Sequence, residues 1–316
     1  MRNAETEEMK KKILHLISFF IFSTLIFTTV CLCGVKFFQF DPPNQTVCFL
    51  TFTTTTTRQT DEHPPVIDVV EKKWKITYQK KDDRIRQIWK PRSVMTSRDG
   101  REFIHPVHTA LMEFPFTLTL DSGGKVVSID GLAGVQARLK GRVPKTAWQS
   151  LAPLISEDML SAGEAHEWKL LAGECAGRKA KVGEAWQGIE ILGLAKRPGR
   201  PYFRLARVKQ TIPYAGRRML KVEEFRHTDF EALKKMAGGD IPDFSTAESK
   251  EVNEWKDEEG VRKIIAGEGF RIIDPEHLLL YYVFVRLNEQ TIFTTPQGRE
   301  SVMNLKEERE FRFSYL

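Results

Sequence analysis

Apolar and polar side chains alternate with a period of two along much of this chain, and the places where the alternation fails divide it into elements. Val47 to Thr57 is rich in β-branched and aromatic residues, whose restricted χ1 favours an extended strand. Trp74, Ile76 and Tyr78 alternate with Lys73, Lys75, Thr77 and Gln79, the pattern of a strand with one wet face. Phe114, Phe116, Leu118 and Leu120 alternate with Pro115, Thr117 and Thr119. Asp121-Ser122-Gly123-Gly124 and Lys125 to Ile129 follow, which predicts an antiparallel hairpin with a glycine-bearing turn.

The period then changes. Between Leu132 and Leu171 the residues Trp148, Leu151, Leu154, Ile155 and Met159 recur at helical spacing and form an apolar stripe able to cover a sheet face. Pro153 lacks an N–H and its ring clashes with the preceding turn, so the interval should kink or split there. From Trp186 the strand pattern resumes over 189–194, 202–212 and 219–226. Thr228 with Glu231 three positions on predicts a capping box, Phe230, Leu233 and Met236 an apolar helix side, and Gly238-Gly239 its end. Residues 240–259 are acidic and polar and predict a surface excursion carrying little core. Strands return at 270–273, 278–285 and 290–295, and a last one carries Phe311, Phe313 and Tyr315. The unbroken apolar run 278–285 predicts a central strand buried on both faces.

Strands, helices, strands, one helix and strands, in that order, argue for an α+β fold with a mostly antiparallel sheet and a few covering helices, because parallel sheets need regular alternation. The β blocks 47–131 and 186–316 flank the helical interval 132–171 and are candidates for two halves of one domain, 47–316, although no residue-level repeat links them.

Ahead of this domain, Ile13 to Val35 holds no charged side chain, and at ~1.5 Å per residue such a helix spans the ~30 Å apolar core of a bilayer. Lys10, Lys11 and Lys12 precede it and only Lys36 follows closely. The basic excess keeps residues 1–12 in the cytoplasm and places the large domain in the cell envelope, outside the cytoplasmic membrane. Residues 36–46 read as a connector in which Pro42-Pro43 blocks helix continuation. Three fates remain open for 13–35: an uncleaved transmembrane anchor, a cleaved signal peptide starting at Met9, or a lipoprotein signal with Cys31 or Cys33 as the acylated residue. Val30 and Leu32 precede those cysteines where a lipobox expects a small residue.

Composition narrows the function classes. Hydrophobic residues at 41% with 28% charged exclude global disorder. A net charge of +6 favours no nucleic-acid role, since no recognition module or one-sided basic face accompanies it. The run from Glu71 to Arg101 is basic and interleaved with Trp74, Tyr78 and Trp89, but the alternation assigns the lysines to the wet face of a strand. Beyond the membrane segment only Cys48 and Cys175 remain, which reads as two unlinked thiols rather than a disulfide framework.

The run from Phe116 to Gly131, the helical interval and Lys181 to Trp186 together resemble poorly characterised bacterial exported and lipoprotein domains, in which a "G-K-V-x-S-I-x-G" hairpin precedes helices and a "V-G-x-x-W" step leads into further strands. In shape the chain is similar to periplasmic lipoprotein carriers of the LolA and LolB type. That resemblance implies a curved antiparallel sheet holding helices over an apolar cavity, and it carries no catalytic residues.

Catalytic motifs are missing from the sequence. His105 and His108 near Glu102 and Glu113 lack a third ligand motif, and His166-Glu167 has Leu170 where a zincin helix needs its second histidine. No nucleophile elbow, Walker loop or dinucleotide fingerprint occurs. The expectation is therefore a non-enzymatic envelope protein without cofactor or metal, tethered to the membrane. It would bind a lipid or other apolar ligand between sheet and helices, with Trp148, Leu151 and Leu154 as pocket lining. The alternative is a structural or protein-interaction component with a filled core, and an enzyme comes third.

Overall fold

The computed structural model describes residues 37–316 apart from 62, 174, 193–199, 240, 242–243, 256, 258–259 and 296. The segment 13–35 with Cys31 and Cys33 lies outside these residues. Among the described residues no helix is long and apolar enough to cross a membrane.

The first β block supplies β1 (Val47–Thr60), β2 (His63–Lys81), β3 (Arg84–Arg98), β4 (Arg101–Glu102), β5 (Phe116–Leu120) and β6 (Val126–Asp130). The second supplies β7 (Ala185–Leu192), β8 (Arg200–Tyr214), β9 (Arg217–His227), β10 (Val261–Ile273), β11 (Leu280–Thr294) and β12 (Glu300–Tyr315). All pair antiparallel in one sheet of order β6-β5-β3-β2-β1-β12-β11-β10-β9-β8-β7, with β4 beside β3. The two blocks are thus one continuous surface, joined where β1 pairs with β12 and Phe52 stands opposite Phe311. Their stacked rings, 4.3 Å apart, fill that junction.

The sheet curls. Leu118 and Leu120 near one edge and Val208 and Val222 near the other belong to a single core that also takes in Leu50, Ile76 and Val283 from the middle. Close approach of β10 to β11 helps the curl, because a Cβ at Gly269 would stand 2.5 Å from the carbonyl oxygen of Phe284. The expected curved, mostly antiparallel sheet with few helices is what the chain forms.

Over the concave face lie α1 (Pro106–Leu111), α2 (Gly134–Lys140), α3 (Lys145–Leu151) and α4 (Glu157–Trp168), which runs on into a π-helical turn (Lys169–Gly173). The interval splits as Pro153 requires, at a 3₁₀ turn, Ala152–Ile155. Ser156 then caps α4 by accepting from the Met159 N–H. Val135, Leu139, Ile155, Trp168 and Leu171 press into the core.

The opposite face of β7–β9 carries a second core. Leu205 and Ala206 are neighbours in β8 yet belong to different clusters, as side chains pointing to opposite sheet faces must. Phe203 and Leu205 pack there against Leu233 of α5 (Phe230–Met236), Val252 of α6 (Thr246–Asn253), Ile241 and Phe244.

Several expectations are corrected here. Residues 240–259 hold Ile241, Phe244 and Val252, all buried, because three widely spaced apolar residues show no periodicity yet suffice to seal a small core. The cap of α5 is Asp229, whose Oδ1 accepts from the Ala232 N–H at 2.7 Å, and not Thr228, whose hydroxyl accepts instead from the Ile265 N–H of β10 at 3.4 Å. The strand buried on both faces is β8 over Pro201–Ala206, lying between the two cores. In β11 only Leu280 and Val283 of the 278–285 run's strand portion are buried, since its outer face carries no helix. Phe38 and Phe40, read as connector, are 1% and 2% exposed. Phe38 is fixed by its N–H to the Arg178 carbonyl at 2.7 Å and by its own carbonyl, which accepts from Gly177 at 2.8 Å.

Candidate functional site

The Asp121–Gly124 turn closes the β5–β6 hairpin through Asp121, whose Oδ1 accepts from the N–H groups of Gly123 and Lys125 at 2.9 and 2.8 Å. Gly124 takes a φ of 77°, and a Cβ there would meet that of Phe40 at 3.1 Å. Its carbonyl accepts the indole N–H of Trp168 at 2.9 Å, which ties the end of α4 to this edge of the sheet. Phe40 meets the same indole edge-on at 4.9 Å.

Between this corner and the opposite sheet edge lies a cavity of about 700 Å³. Gly124, Lys125 and Val126 form one side, Ala165, Trp168 and Lys169 a second, and Ala176 to Arg178 a third. Trp186 to Glu190 of β7 and Arg204 of β8 complete it. Both ends of the open sheet thus border one space that the α4 segment spans. Gly188 widens it, because a Cβ added there would meet no atom within 4 Å.

Behind Arg204 the concave face is ionic. Register places Arg204 opposite Arg226, Ala206 opposite Glu224, and Gly269 opposite Glu224 on the other side. Glu224 pairs with Arg204 and Arg271 and, at 2.9 Å, with Arg226. Burial raises the Glu224 carboxyl, but the three guanidinium groups outweigh it and bring it down to about 2. Burial lowers Arg204 to about 9 against the pull of Glu224. Glu190 accepts from the Tyr202 hydroxyl at 2.7 Å and from Arg226 Nε at 3.4 Å, and its other oxygen stands 3.3 Å from Arg204 Nε. Arg271 Nη1 also donates to Cys175 Sγ at 3.5 Å, and burial raises that thiol. Cys48 and Cys175 are both free thiols, the first pushed up by burial to about 12, so neither is a ready nucleophile.

A second ionic group ties α4 to the sheet. Arg309 of β12 pairs with Glu167 at 3.0 Å and with Glu307. Glu164, one turn earlier, is pushed up by burial to about 7, against the attraction of Lys72.

Among the described residues no three His, Cys, Asp or Glu side chains gather as a metal site. His105 caps α1, its Nδ1 accepting from the His108 N–H at 3.4 Å, and burial with the nearby Lys72 charge drives His108 down to about 3. Of the expected pocket residues, Trp148 and Leu151 pack half-buried against the main core and Leu154 is 38% exposed. None of the three borders the cavity, which takes Trp168 and Trp186 instead. Trp186 closes the Lys181–Trp186 motif singled out in the sequence, and Trp168 lies beyond the helical stripe.

No family model matches the chain, and no curated protein matches it. In three dimensions it is similar to a solved lipovitellin, described under the words lipid–protein interactions in lipovitellin, with a TM-score of 0.47 and 8% identity. The match covers 86% of this chain and 25% of that one, so the chain spans about a quarter of its neighbour's length.

Proposed function

We propose that the domain is a non-enzymatic binding protein that holds a ligand with an apolar body in the cavity between β6, β7 and α4. The observation that carries this reading is the cavity itself: about 700 Å³, with Trp168, Trp186 and Val126 as its apolar walls. That volume falls within the ~300–1,000 Å³ of small-molecule sites. Supporting it, the wall is held by an indole hydrogen bond and by an ion pair from α4 to β12, so the space does not collapse to bury its own apolar lining. We place the protein in the cell envelope, tethered or exported through residues 13–35, on the basis of the lysines that precede this uncharged run.

The test uses the full chain purified without detergent. Native mass spectrometry is expected to detect a co-purifying apolar molecule, and Nile red, a neutral apolar dye, should bind and brighten once that molecule is stripped. Gly188→Phe should leave the circular dichroism unchanged, since the position has room for a side chain, and should abolish both signals by filling the cavity. Parent protein that carries no ligand and takes up no dye overturns the reading, as does a folded Gly188→Phe chain that binds undiminished. For the compartment, a periplasmic reporter fused after Leu316 should be active and a cytoplasm-only reporter silent.

A further inference from the structure

The cavity's charge is one-sided. Lys125, Lys169, Arg178 and Arg204 border it, against the single carboxylate of Glu190. That carboxylate is already engaged by the Tyr202 hydroxyl and by Arg226 and Arg204, so it offers little repulsion to an incoming anion. Lys125 and Arg178 are exposed and, among the described residues, take part in no ion pair. They stand at the solvent side with long flexible stems, while Arg204 is buried at the inner side. A further donor lines the space: Trp186 is 8% exposed and, among the described residues, its buried indole N–H has no acceptor. A buried donor without a partner is costly, and a ligand oxygen would relieve that cost.

We infer that the ligand is an anionic amphiphile, an aliphatic or aromatic body with a carboxylate or phosphate head, the head seated among Lys125, Arg178, Arg204 and the Trp186 N–H. This rests on the reading of the cavity as a ligand site and names the chemical class it takes. The walls supply apolar contact along the body, and the cations recognise the head by charge-assisted hydrogen bonds, which are shorter and about twice as strong as neutral ones.

The experiment is isothermal titration of ligand-stripped full chain with four probes of equal tail length, each below its micelle concentration: dodecanoate, dodecyl phosphate, dodecanol and dodecyltrimethylammonium. The two anions are expected to bind about tenfold or more tighter than dodecanol, since one or two charge-assisted bonds separate them, with the cation weakest. The anions' advantage should shrink as salt is raised. Whichever anion is tighter tells a phosphate head from a free carboxylate. In the variant Lys125→Gln/Arg178→Gln, which removes exposed charges outside both cores, dodecanoate affinity should fall toward that of dodecanol while dodecanol binding holds. Equal affinity for dodecanol and dodecanoate in the parent overturns the anionic head and leaves the apolar cavity standing. Equal losses for both probes in the double variant also overturn it. No binding of any probe overturns both readings.

Discussion

The indole N–H of Trp168 donates to the carbonyl oxygen of Gly124 at 2.9 Å, joining the last turn of α4 to the hairpin at one edge of the sheet. Forty-odd residues separate the partners in sequence, yet the bond fixes the wall of the cavity. Trp168→Phe keeps most of the ring's packing against Phe40 but leaves the Gly124 carbonyl without its donor. The expected loss of stability is about 1–3 kcal/mol, read as a lower urea midpoint at unchanged slope, with weaker ligand binding. An unshifted midpoint would show that the bond contributes nothing to the wall.

Glu224 is the counter-ion of three buried arginines, so removing its charge should be far more damaging than an average substitution. Glu224→Gln leaves Arg204, Arg226 and Arg271 with one fewer buried carboxylate and is expected to cost about 3–5 kcal/mol in urea unfolding at pH 7. Because the folded carboxyl is held down to about 2, its contribution is present above the unfolded value of 4.5 and is lost as pH falls through that window. Acid titration followed by tryptophan fluorescence should show the parent unfolding between those limits, and a parent that stays folded well below them contradicts the assignment.

Glu164 has the opposite sign. Its folded carboxyl is pushed up to about 7, above the unfolded value of 4.5, so the folded state holds the proton more tightly between these limits. Stability should therefore decline as pH rises from about 4.5 to about 7 and level off beyond. In Glu164→Gln this decline should flatten, measured as thermal midpoints across the range. A slope that persists in the variant assigns it to another group.

The local pattern of strands and turns was legible in the chain because it depends on neighbours a few residues apart. The β5–β6 hairpin follows from alternating Phe116, Leu118 and Leu120 with a turn that Asp121 closes, and the break at Pro153 follows from its missing N–H. Of the expected pocket residues, Trp148 and Leu151 of α3 pack on the core and Leu154 of the following 3₁₀ turn is exposed, so none of them lines the cavity. Helical periodicity finds a buried face but not which part of that face is left unfilled.

What the sequence determined by itself is the alternation of faces, and with it an antiparallel α+β fold, since side-chain direction along a strand is set by the backbone alone. What only the tertiary structure decided is which face is wet and which distant segments meet. Arg204, Glu224, Arg226 and Arg271 occupy alternate positions that would suit a solvent-facing side, yet the sheet's curl buries them against one another, where each arginine pairs with Glu224. The same curl brings Val126 of β6 and Trp186 of β7, opposite ends of the strand order, to one cavity. Curvature sums small twists over many strands, and no short stretch of residues carries that sum.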